Sequence, residues 1–528
     1  MITTHDNPDL ERLISSLQRA ECFDHPIKTF GVIETHISLV LLTGIFAYKF
    51  KKSVDLGFLD FCTQEKRKFY LDEELRLNKR LAPQLYLEVR PVTGTVDNPS
   101  LKRTDDPVLE YALKMRQFNP EDQLDRRLEK GELLPQHIHQ LAQVIADFHL
   151  SLKPADTTTV FGDPEQISKP VRENFVEIRP SENETDLLDM LALLKTWSID
   201  QLDKLRPRFV QRKQLGFIRE CHGDMHLGNM VLVKGEVVIF DCIEFNEAFR
   251  WIDVFNEIAF VLMDLDYHNR PELANRLLNL YLEKTGDYSG IHVLNFYLAY
   301  RALVRAKVAD IQRRQNPDVK KQKQLSGSVI AHVSLANRYR QSKRQPRLII
   351  CHGFSGSGKT RYSLELAIQS GAIRIRSDTE RKRLFGLKTQ DRTGNDPGKK
   401  IYSEHASRIT YDYLAKLARD IIVAGFPIIV DATFLSADRR QQFRKVASEL
   451  SVPFQILDFT APEDVLKKRI TERNILNKDA SDADLDVLES QLKYHDPLEA
   501  NEMPFVLSID TTQTIEIKRL IQQLDSKM

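Results

Sequence analysis

The stretch "RLIICHGFSGSGKT", Arg347–Thr360, decides how the C-terminal part of the chain folds. Its apolar beginning predicts a buried strand, and the pattern Gly-x-x-x-x-Gly-Lys-Thr follows at Gly353–Thr360. Glycines in such a loop let successive backbone N–H groups close around a phosphate, and a helix that begins at Lys359 adds positive potential there. The stretch therefore predicts a strand, a phosphate-binding loop and a helix in direct succession.

The chemistry of this loop assigns roles to its polar residues. Lys359 is expected to neutralise the β- and γ-phosphate oxygens during transfer, and Thr360 is expected to hold Mg²⁺. The residues that we expect to bind nucleotide are Gly353, Ser355, Gly356, Ser357, Gly358, Lys359 and Thr360.

Two aspartates end later predicted strands of the same region. Asp431, in "PIIVDAT", suits a carboxylate at the magnesium site, and Asp378, in "AIRIRSD", stands where open α/β sheets place substrate. For each of them, the alternative is a carboxylate that caps the following helix. Arg469 and Arg473 lie four apart on one predicted helix face, where they would either clamp phosphates as a lid or form a solvated basic face.

Beyond residue 347, predicted strands alternate with predicted helices. The helix "EHASRITYDYLAKLARDIIVAG" precedes the strand "PIIVDAT", and the helix "ADRRQQFRKVASEL" precedes the strand "FQILDF". Alternation of this kind predicts a parallel sheet with helices on both faces. The C-terminal region is therefore predicted to be an α/β domain of the P-loop NTPase type.

A second motif, "CHGDMHLGNM" at Cys221–Met230, has the spacing His-x-Asp-x-x-x-x-Asn of a kinase catalytic loop. Phosphoryl transfer requires a carboxylate beside the attacking hydroxyl, and Asp224 fits that place. Asn229, and Asp241 at the end of "VVIFD", are candidate ligands for Mg²⁺ on the triphosphate. The stretch "MVLVKGEVVIFD" predicts a short hairpin that turns at Lys234-Gly235. His222 is expected to orient the loop, with a satisfied core histidine as the alternative.

The stretch "THISLVLLTGIFAYKFKK" predicts two paired strands around a turn at Thr43-Gly44. A lysine that pairs with phosphate is expected on an early strand. "FAYKFKK" offers Lys49 in an Ala-x-Lys pattern, but Lys51 falls on the same strand face, so Lys49 is a preference. The alternative for Lys49 is an edge-strand charge that opposes aggregation. Glu74 shares a helical stripe with apolar residues whereas Glu73 neighbours Arg76, so periodicity favours Glu74 as the partner of the lysine.

The His-x-Asp motif and the "FAYKFKK" strand resemble the aminoglycoside phosphotransferase-like branch of the protein-kinase fold, over about residues 25–340. The resemblance implies an α+β protein-kinase-like domain. In "GVIETHISLVLL" there is no G-x-G-x-x-G, and "FDCIEF" replaces D-F-G, so the first strand pair is not independent evidence of ATP binding. The roles that the resemblance implies are Asp224 as base, Asn229 and Asp241 as metal ligands, and Lys49 with Glu74 as the phosphate-positioning pair.

The C-terminal region, about residues 347–528, resembles small-molecule and polynucleotide P-loop kinases, a group with gluconate kinase-like, shikimate kinase-like and zeta-toxin-like folds. This resemblance implies that Asp378 is the base for the acceptor hydroxyl and that Arg469 and Arg473 belong to a lid. The whole chain is also similar to bacterial proteins known as bifunctional aminoglycoside phosphotransferase/ATP-binding proteins. The stretches that carry this similarity are "ETHIS", "AYKFKK", "LNKRLAP", "SDTERKRLFG" and "DASDADLDVLE".

The bulk properties indicate a multidomain protein of ordinary globular composition. A length of 528 residues predicts two or three domains. We place the boundary in a basic segment, residues 312–347, which gives an aminoglycoside phosphotransferase-like domain at 1–343 and a P-loop domain at 344–528. The five cysteines include no C-x-x-C pair, which argues against a disulfide framework and a structural zinc site.

Composition also limits the expected partners and location. The N-terminus has no basic-then-apolar signal and the apolar runs are too short to span a membrane, so we expect a cytoplasmic protein without a membrane partner. A net charge of +1 gives no global case for nucleic acid, which stays possible through a local basic groove but is not favoured. The sequence does not indicate an oligomeric state.

The leading functional hypothesis is an ATP- and Mg²⁺-dependent phosphotransferase with two nucleotide sites and a small-molecule alcohol as acceptor. The alternative is a polynucleotide 5′-hydroxyl kinase, or a toxin-like kinase of nucleotide sugars, in the C-terminal domain. The run Arg381–Arg383 and the basic segment 312–347 support that alternative. In a further hypothesis the N-terminal domain is a binding or sensing module without turnover.

Overall fold

The computed structural model describes residues 3–4, 8–55, 59–102, 105–342, 344–388, 391, 401, 403–476 and 483–526. The strands, in chain order, are β1 Thr3–Thr4, β2 Gly31–Glu34, β3 Ser38–Leu42, β4 Phe46–Lys51, β5 Val54–Asp55, β6 Tyr86–Thr95, β7 Asn98–Ser100, β8 Val108–Arg116, β9 Ile218–Glu220, β10 Met230–Val233, β11 Glu236–Ile239, β12 Trp251–Asp253, β13 Leu348–His352, β14 Ile373–Arg376, β15 Ile428–Asp431, β16 Phe454–Thr460 and β17 Val506–Asp510.

The α-helices are numbered in the same way. They are α1 Pro8–Ser16, α2 Gln64–Asn78, α3 Leu124–Glu129, α4 Pro135–Ser151, α5 Pro164–Glu177, α6 Thr185–Gln214, α7 Glu247–Arg250, α8 Val254–Tyr267, α9 Pro271–Thr285, α10 Ile291–Gln315, α11 Val319–Gln341, α12 Lys359–Ser370, α13 Ser377–Leu384, α14 Glu404–Val423, α15 Ala437–Glu449, α16 Glu463–Leu476, α17 Leu485–Lys493 and α18 Ile517–Ser526.

The chain divides into two compact units, each built from separated segments. The first unit comprises Met1–Asp264 and Tyr300–Val329, and the second comprises Leu265–Ala299 and Ile330–Met528. A division of this kind does not test the linear boundary predicted after residue 343, which stays a prediction; Lys343 itself lies outside the described residues.

The first unit contains an antiparallel sheet of order β2-β3-β4-β8-β6-β7. Apolar and charged residues alternate along β4, so Tyr48 and Phe50 are buried in one cluster with Leu41 of β3. The same alternation directs Lys49 and Lys51 to the opposite face of the sheet. The predicted pairing of β3 with β4 is confirmed, since Val40 lies opposite Lys49.

Helix α2 packs against β6 and β8. It begins after Thr63, whose side chain accepts a hydrogen bond from the backbone N–H of Lys66. Leu71 and Glu74, three residues apart, are both buried on the face that packs inward. The helix therefore carries a carboxylate toward the sheet face from which the two lysines of β4 project.

The hairpin β10–β11 separates two predicted site residues. Met230 pairs with Ile239 at its open end, and the turn residues Lys234 and Gly235 both have positive φ, as a tight two-residue hairpin requires. This confirms the predicted hairpin. Asn229 lies immediately before the first strand and Asp241 lies two residues after the second, so the hairpin returns the chain to the same end of the structure.

The second unit is built on a parallel sheet of order β14-β15-β13-β16-β17. The predicted parallel sheet is confirmed. Strand β13 is central and buried along its whole length, and the phosphate-binding loop leaves its carboxyl end. Because β15 is the neighbour of β13, Asp431 at the end of β15 lies beside that loop.

Helix α9 belongs to the second unit, although it precedes the phosphate-binding loop by many residues. It packs against α12 and against β14, which is the edge strand of the sheet. The Asn279 amide accepts a hydrogen bond from Arg374 N at 2.8 Å and donates one to Ala372 O at 3.1 Å. These bonds satisfy backbone groups that an edge strand would otherwise leave unpaired.

Across the described residues, no helix combines the length and the apolar content that crossing a membrane requires.

Candidate active sites

The His-x-Asp loop is held from behind by helix α8. The buried Glu257 carboxylate accepts hydrogen bonds from the backbone N–H groups of His222, at 2.6 Å, and of Gly223, at 2.9 Å. The Asp264 carboxylate accepts another from Leu227 N at 2.8 Å. Two acidic side chains on one helix therefore fix the backbone on both sides of Asp224.

His222 links the loop to the segment before Asp241. Its Nε2 lies 2.8 Å from Phe240 O, and burial lowers the pKa of His222 to about 4, so the ring is neutral at pH 7 and donates from Nε2. Nδ1 then accepts a hydrogen bond from Asp224 N at 3.3 Å. The histidine thus orients the loop, as predicted, and does so as a buried neutral ring.

Asp224 and Asn229 lie together as the motif spacing predicts. Asn229 Nδ2 donates to Asp224 Oδ2 at 3.1 Å and to Asp224 O at 3.0 Å. Burial alone would raise the pKa of Asp224, but the neighbouring His226 and Arg305 hold it below its usual range. The Asp224 carboxylate is therefore ionised at neutral pH and able to accept a hydrogen bond from an alcohol.

A chain of alternating charges joins strand β4, helix α2 and the segment after β11. Lys49 Nζ lies 2.7 Å from Glu74 Oε1 and 2.9 Å from Asp241 Oδ1. Lys51 Nζ lies 2.6 Å from Glu74 Oε2 and also pairs with Glu244. Both lysines thus contact Glu74, and Lys49 alone contacts the predicted metal ligand Asp241.

Position along α2 decides between the two candidate glutamates. Glu74 is fully buried, whereas Glu73 pairs with Arg76 at 2.9 Å near the surface. The partner favoured by periodicity is the one that the structure places against Lys49. The role of this pair in ATP binding stays a prediction.

In the second unit, Lys359 turns its side chain back into the phosphate-binding loop. Its Nζ donates to Gly353 O at 2.7 Å and to Phe354 O at 2.6 Å, and lies 3.3 Å from Ser357 Oγ. Burial lowers the pKa of Lys359 to about 8. The ammonium group therefore rests on neutral oxygens of the loop itself.

Gly353 is required by the close approach of the loop to β16. Its φ is +136°, and a Cβ at this position would lie 2.5 Å from Phe459 O. Any side chain would therefore push the loop away from the sheet. Across the loop, Ser355 N and Oγ both bond to the Gln491 amide of α17, at 2.9 and 3.1 Å.

Thr360 and Asp431, the two residues predicted to bind magnesium in this unit, both lie at helix α12 or against it. Asp431 Oδ2 lies 3.2 Å from Ser363 Oγ on α12, the helix that begins at Lys359. Within the described part of the chain, the Thr360 hydroxyl makes no hydrogen bond, while Thr360 O accepts one from Arg374 Nη1 at 3.0 Å. The hydroxyl is thus available to a ligand at the start of the helix.

The remaining predicted residues of this unit are placed differently from one another. Asp378 lies in the first turn of α13, where its carboxylate is 3.9 Å from Arg381 and its charge acts on Lys359. Arg469 bonds to Gly356 O at 3.3 Å and to Thr511, so it lies at the phosphate-binding loop. Arg473 bonds instead to Ala483 O.

Several residues of these sites were not predicted. Glu244 follows Asp241 by three residues, and only its place in "FDCIEF" hinted at a link to that segment. Glu257 and Gln491 lie on helices without a motif, so pattern alone gave no sign of them. Glu283 of α9 pairs with Arg374 at 2.5 Å and with Arg376 at 2.8 Å, behind Asp431.

Comparison with known families agrees with this pair of sites. Residues 65–294 match the model of the phosphotransferase enzyme family, and residues 348–498 match that of an AAA domain. A kinase-like phosphotransferase region is thus followed by a P-loop region, which confirms the predicted fold class and the resemblance stated above. The two regions support phosphotransferase activity for the chain.

Mycobacterial proteins are similar to this chain over most of its length. Uncharacterized proteins of Mycobacterium tuberculosis and Mycobacterium bovis are each 28% identical to this chain over 465 residues, which cover 87% of this chain and 90% of the relative.

Solved structures resemble one part of the chain or the other. A choline kinase from Cryptosporidium parvum is 10% identical, with a TM-score of 0.38, and the match covers 62% of this chain and 95% of that one. A gluconokinase from Sinorhizobium meliloti is 18% identical, with a TM-score of 0.25, over 35% of this chain and 92% of that one.

Proposed function

We propose that this protein transfers the γ-phosphate of ATP to hydroxyl groups of small metabolites at two separate nucleotide sites, with Mg²⁺ at each. The observation that carries the proposal is that each unit brings together its own group of side chains suited to binding phosphate. The first unit joins Lys49, Glu74 and Asp241 and places Asp224 against Asn229, and the second closes a phosphate-binding loop around Lys359.

At the first site the chain would act by positioning and neutralisation. Lys49, fixed by Glu74, presents its ammonium group to ATP phosphates. Asp224 accepts the hydrogen bond of the acceptor hydroxyl and receives its proton as the oxygen attacks phosphorus. Glu257 accepts hydrogen bonds from the N–H groups of His222 and Gly223, and His222 Nδ1 accepts one from Asp224 N, so the backbone that carries the carboxylate is held in place.

At the second site the ammonium group of Lys359 would exchange backbone carbonyls for phosphate oxygens. The exchange is favourable because an ionised partner replaces neutral ones. Loop N–H groups and the α12 N-terminus add positive potential around the same phosphates. Asp378, whose charge already acts on Lys359, is the proposed base for the second acceptor, and Arg469 is the proposed cation that covers the loop.

The donor sets fit Mg²⁺, which prefers hard oxygen ligands. At the first site Asn229 directs its Nδ2 to Asp224, which leaves its amide oxygen for a cation beside Asp241. At the second site the Thr360 hydroxyl and Asp431 flank the start of α12. When bound, Mg²⁺ would neutralise charge on the triphosphate oxygens at each site.

The test follows label from γ-labelled ATP into a bacterial metabolite extract, with wild type, Asp224→Asn and Lys359→Ala. Each substitution is expected to abolish a different labelled product, with losses of about 10²-fold or more for a removed base. The double variant should label nothing. If Lys359→Ala removes every product while Asp224→Asn changes none, the first site does not turn over and the proposal for it fails.

The alternative, a polynucleotide kinase in the second unit beside a non-catalytic first unit, has less support. Arg381 and Lys382 are buried, and Arg383 pairs with Glu380 and donates to Glu283 O. These three cations are buried or bonded within the unit, so they are not evidence of a surface that binds nucleic acid. The basic segment 312–347 is the support that this alternative retains. Strong salt dependence of acceptor binding would favour it.

A further inference from the structure

Helix α10 contributes residues Tyr300–Gln315 to the first unit, and one face of this part lies against the His-x-Asp loop. Arg301 is buried there, and its Nη1 donates to Gly223 O at 3.0 Å while its Nε donates to Asn256 Oδ1 at 2.8 Å. Gly223 immediately precedes Asp224. Arg301 therefore fixes this face of the helix against the backbone of the catalytic loop.

Arg305 lies one helical turn beyond Arg301 on the same face. Its positive charge acts on the Asp224 carboxylate. Within the described part of the chain, however, Arg305 makes no hydrogen bond and no ion pair. Two more deeply buried arginines of the unit do pair: Arg212 binds Asp253 at 2.6 Å and Arg67 binds Glu110 at 2.6 Å. A half-buried guanidinium without a partner lacks compensation for the water that it has lost.

The imidazole ring of His226 also lies close to the Asp224 carboxylate. Its Nδ1 accepts a hydrogen bond from Gly228 N at 3.1 Å, so the N–H of the ring lies on Nε2. That Nε2 is 3.5 Å from Asp224 Oδ2. The side chain of Asp224 is 36% exposed, so an acceptor that reaches it meets a carboxylate flanked by an imidazole N–H and by the charge of Arg305.

These surroundings select the charge of the acceptor. A cationic alcohol brought to Asp224 would meet the like charge of Arg305, whereas an anionic group would supply the partner that the guanidinium lacks. Arginine presents a fork of N–H donors that matches carboxylate and phosphate oxygens. We infer that the acceptor of the first site is an alcohol that also carries a phosphate or carboxylate group, bound by Arg305 while its hydroxyl lies at Asp224. This inference rests on the proposed function of that site.

The test separates acceptors by charge before the reaction. A bacterial metabolite extract, freed of nucleotides, is divided by ion exchange into anionic, neutral and cationic fractions. Each fraction is incubated with γ-labelled ATP and the full-length Lys359→Ala variant, in which the second site is silenced. Product is counted only if it disappears in the Asp224→Asn, Lys359→Ala double variant. The expected result is label in the anionic fraction, and digestion of that fraction with phosphatase beforehand distinguishes phosphate from carboxylate.

The outcomes distinguish two failures. Asp224-dependent label in the neutral or cationic fraction overturns the charge assignment but leaves the proposed kinase activity intact. An absence of Asp224-dependent label in every fraction, and in the undivided extract, overturns both the proposed activity of the first site and the inference that rests on it.

Variants at Arg305 test the residue itself with the anionic fraction as probe. Arg305→Gln is expected to raise the concentration of the fraction needed for half-maximal labelling by roughly tenfold or more, because a charge-assisted contact is lost. Arg305→Lys should recover part of the loss. The matched control is Arg208→Gln, since Arg208 is also half-buried, pairs with no carboxylate within the described residues and bonds only to Gln211. A loss that falls on the KM for ATP instead would assign Arg305 to the nucleotide and overturn the inference.

Discussion

The two lysines predicted to bind phosphate, Lys49 and Lys359, lie in opposite electrostatic surroundings. Lys49 lies between the carboxylates of Glu74 and Asp241; although burial lowers its pKa, these neighbours raise it well above the usual value. Lys359 contacts backbone carbonyls and a hydroxyl, and burial lowers its pKa to about 8. The positive charge of Lys49 is therefore balanced by carboxylates of the protein itself. The charge of Lys359 has no carboxylate partner among the described residues.

The difference follows from how each site is assembled. The loop of the second site is contiguous, so covalent geometry and the glycine conformations bring its groups together. The first site draws residues from β4, α2 and the segments around β10–β11, and ion pairs join these elements. Its charged groups therefore contribute to the fold, whereas Lys359 bonds only within its own loop among the described residues.

The largest effect on stability is expected from substitution of Glu74, which contacts both lysines of the first site. Glu74→Gln leaves Lys49 and Lys51 buried with fewer carboxylates, so the free energy of unfolding of the first unit should fall by about 3–5 kcal/mol. Both tryptophans, Trp197 and Trp251, lie in the first unit, so tryptophan fluorescence during urea unfolding reports on that unit.

The matched control for this prediction is the neighbouring Glu73→Gln. Glu73 pairs with Arg76 near the surface, so its loss should cost less than about 1 kcal/mol. Lys359→Ala completes the comparison, because it removes a buried charge that has no carboxylate partner among the described residues and should leave the second unit folded. Equal destabilisation by Glu73→Gln and Glu74→Gln would show that burial of the ion pair is not what stabilises the first site.

The second unit also has a buried carboxylate between two cations, but it lies behind the site. Arg376 and Arg374 outweigh the effect of burial and lower the pKa of Glu283 from 4.5 to about 2. The folded state therefore binds the Glu283 proton less tightly than the unfolded state does. Its contribution is complete above pH 4.5, is lost as the pH falls toward 2, and amounts to about 3 kcal/mol at pH 7.

Comparison of wild type with Glu283→Gln isolates this contribution. The difference in free energy of unfolding should be largest at pH 7 and should shrink steadily between pH 4.5 and pH 3. Hydrogen exchange of the β13 and β15 amides measures it in the second unit. A difference that stays constant with pH would mean that Glu283 does not stabilise the unit through its charge.

Sequence pattern predicted those parts of both sites whose functional residues lie close together in the chain. The Gly353–Thr360 loop and the His-x-Asp motif are short, so local geometry brings their residues together without knowledge of the fold. Glu74 was separated from Glu73 because helical periodicity assigns one residue to the buried face. The hairpin between Asn229 and Asp241 was predicted from another local signal, the turn at Lys234 and Gly235.

Contacts between distant segments left no such pattern. Lys51 shares its strand face with Lys49, and only the fold shows that both meet Glu74 while Lys51 alone meets Glu244. Helix α9 packs beside β14 in the second unit although nothing in its sequence distinguishes it from the helices around it. The same holds for the two arginines predicted to form a lid. Their spacing of four residues on α16 predicted a shared face but not that Arg469 and Arg473 bond to different segments.

The smallest effect is expected from substitution of these two arginines, and it concerns ATP binding at the second site. Arg469 binds Thr511 Oγ1 and Thr511 O, each at 2.8 Å, and reaches Gly356 O, so Arg469→Gln should weaken ATP binding at the second site by about 1 kcal/mol, or roughly fivefold. Arg473→Gln should have less effect, because Arg473 bonds away from the loop. The KM for ATP of the Lys359-dependent product measures both. A larger effect of Arg473→Gln would mean that α16 turns its second arginine toward ATP on binding, and that the contact of Arg469 with Gly356 supports the loop rather than the nucleotide.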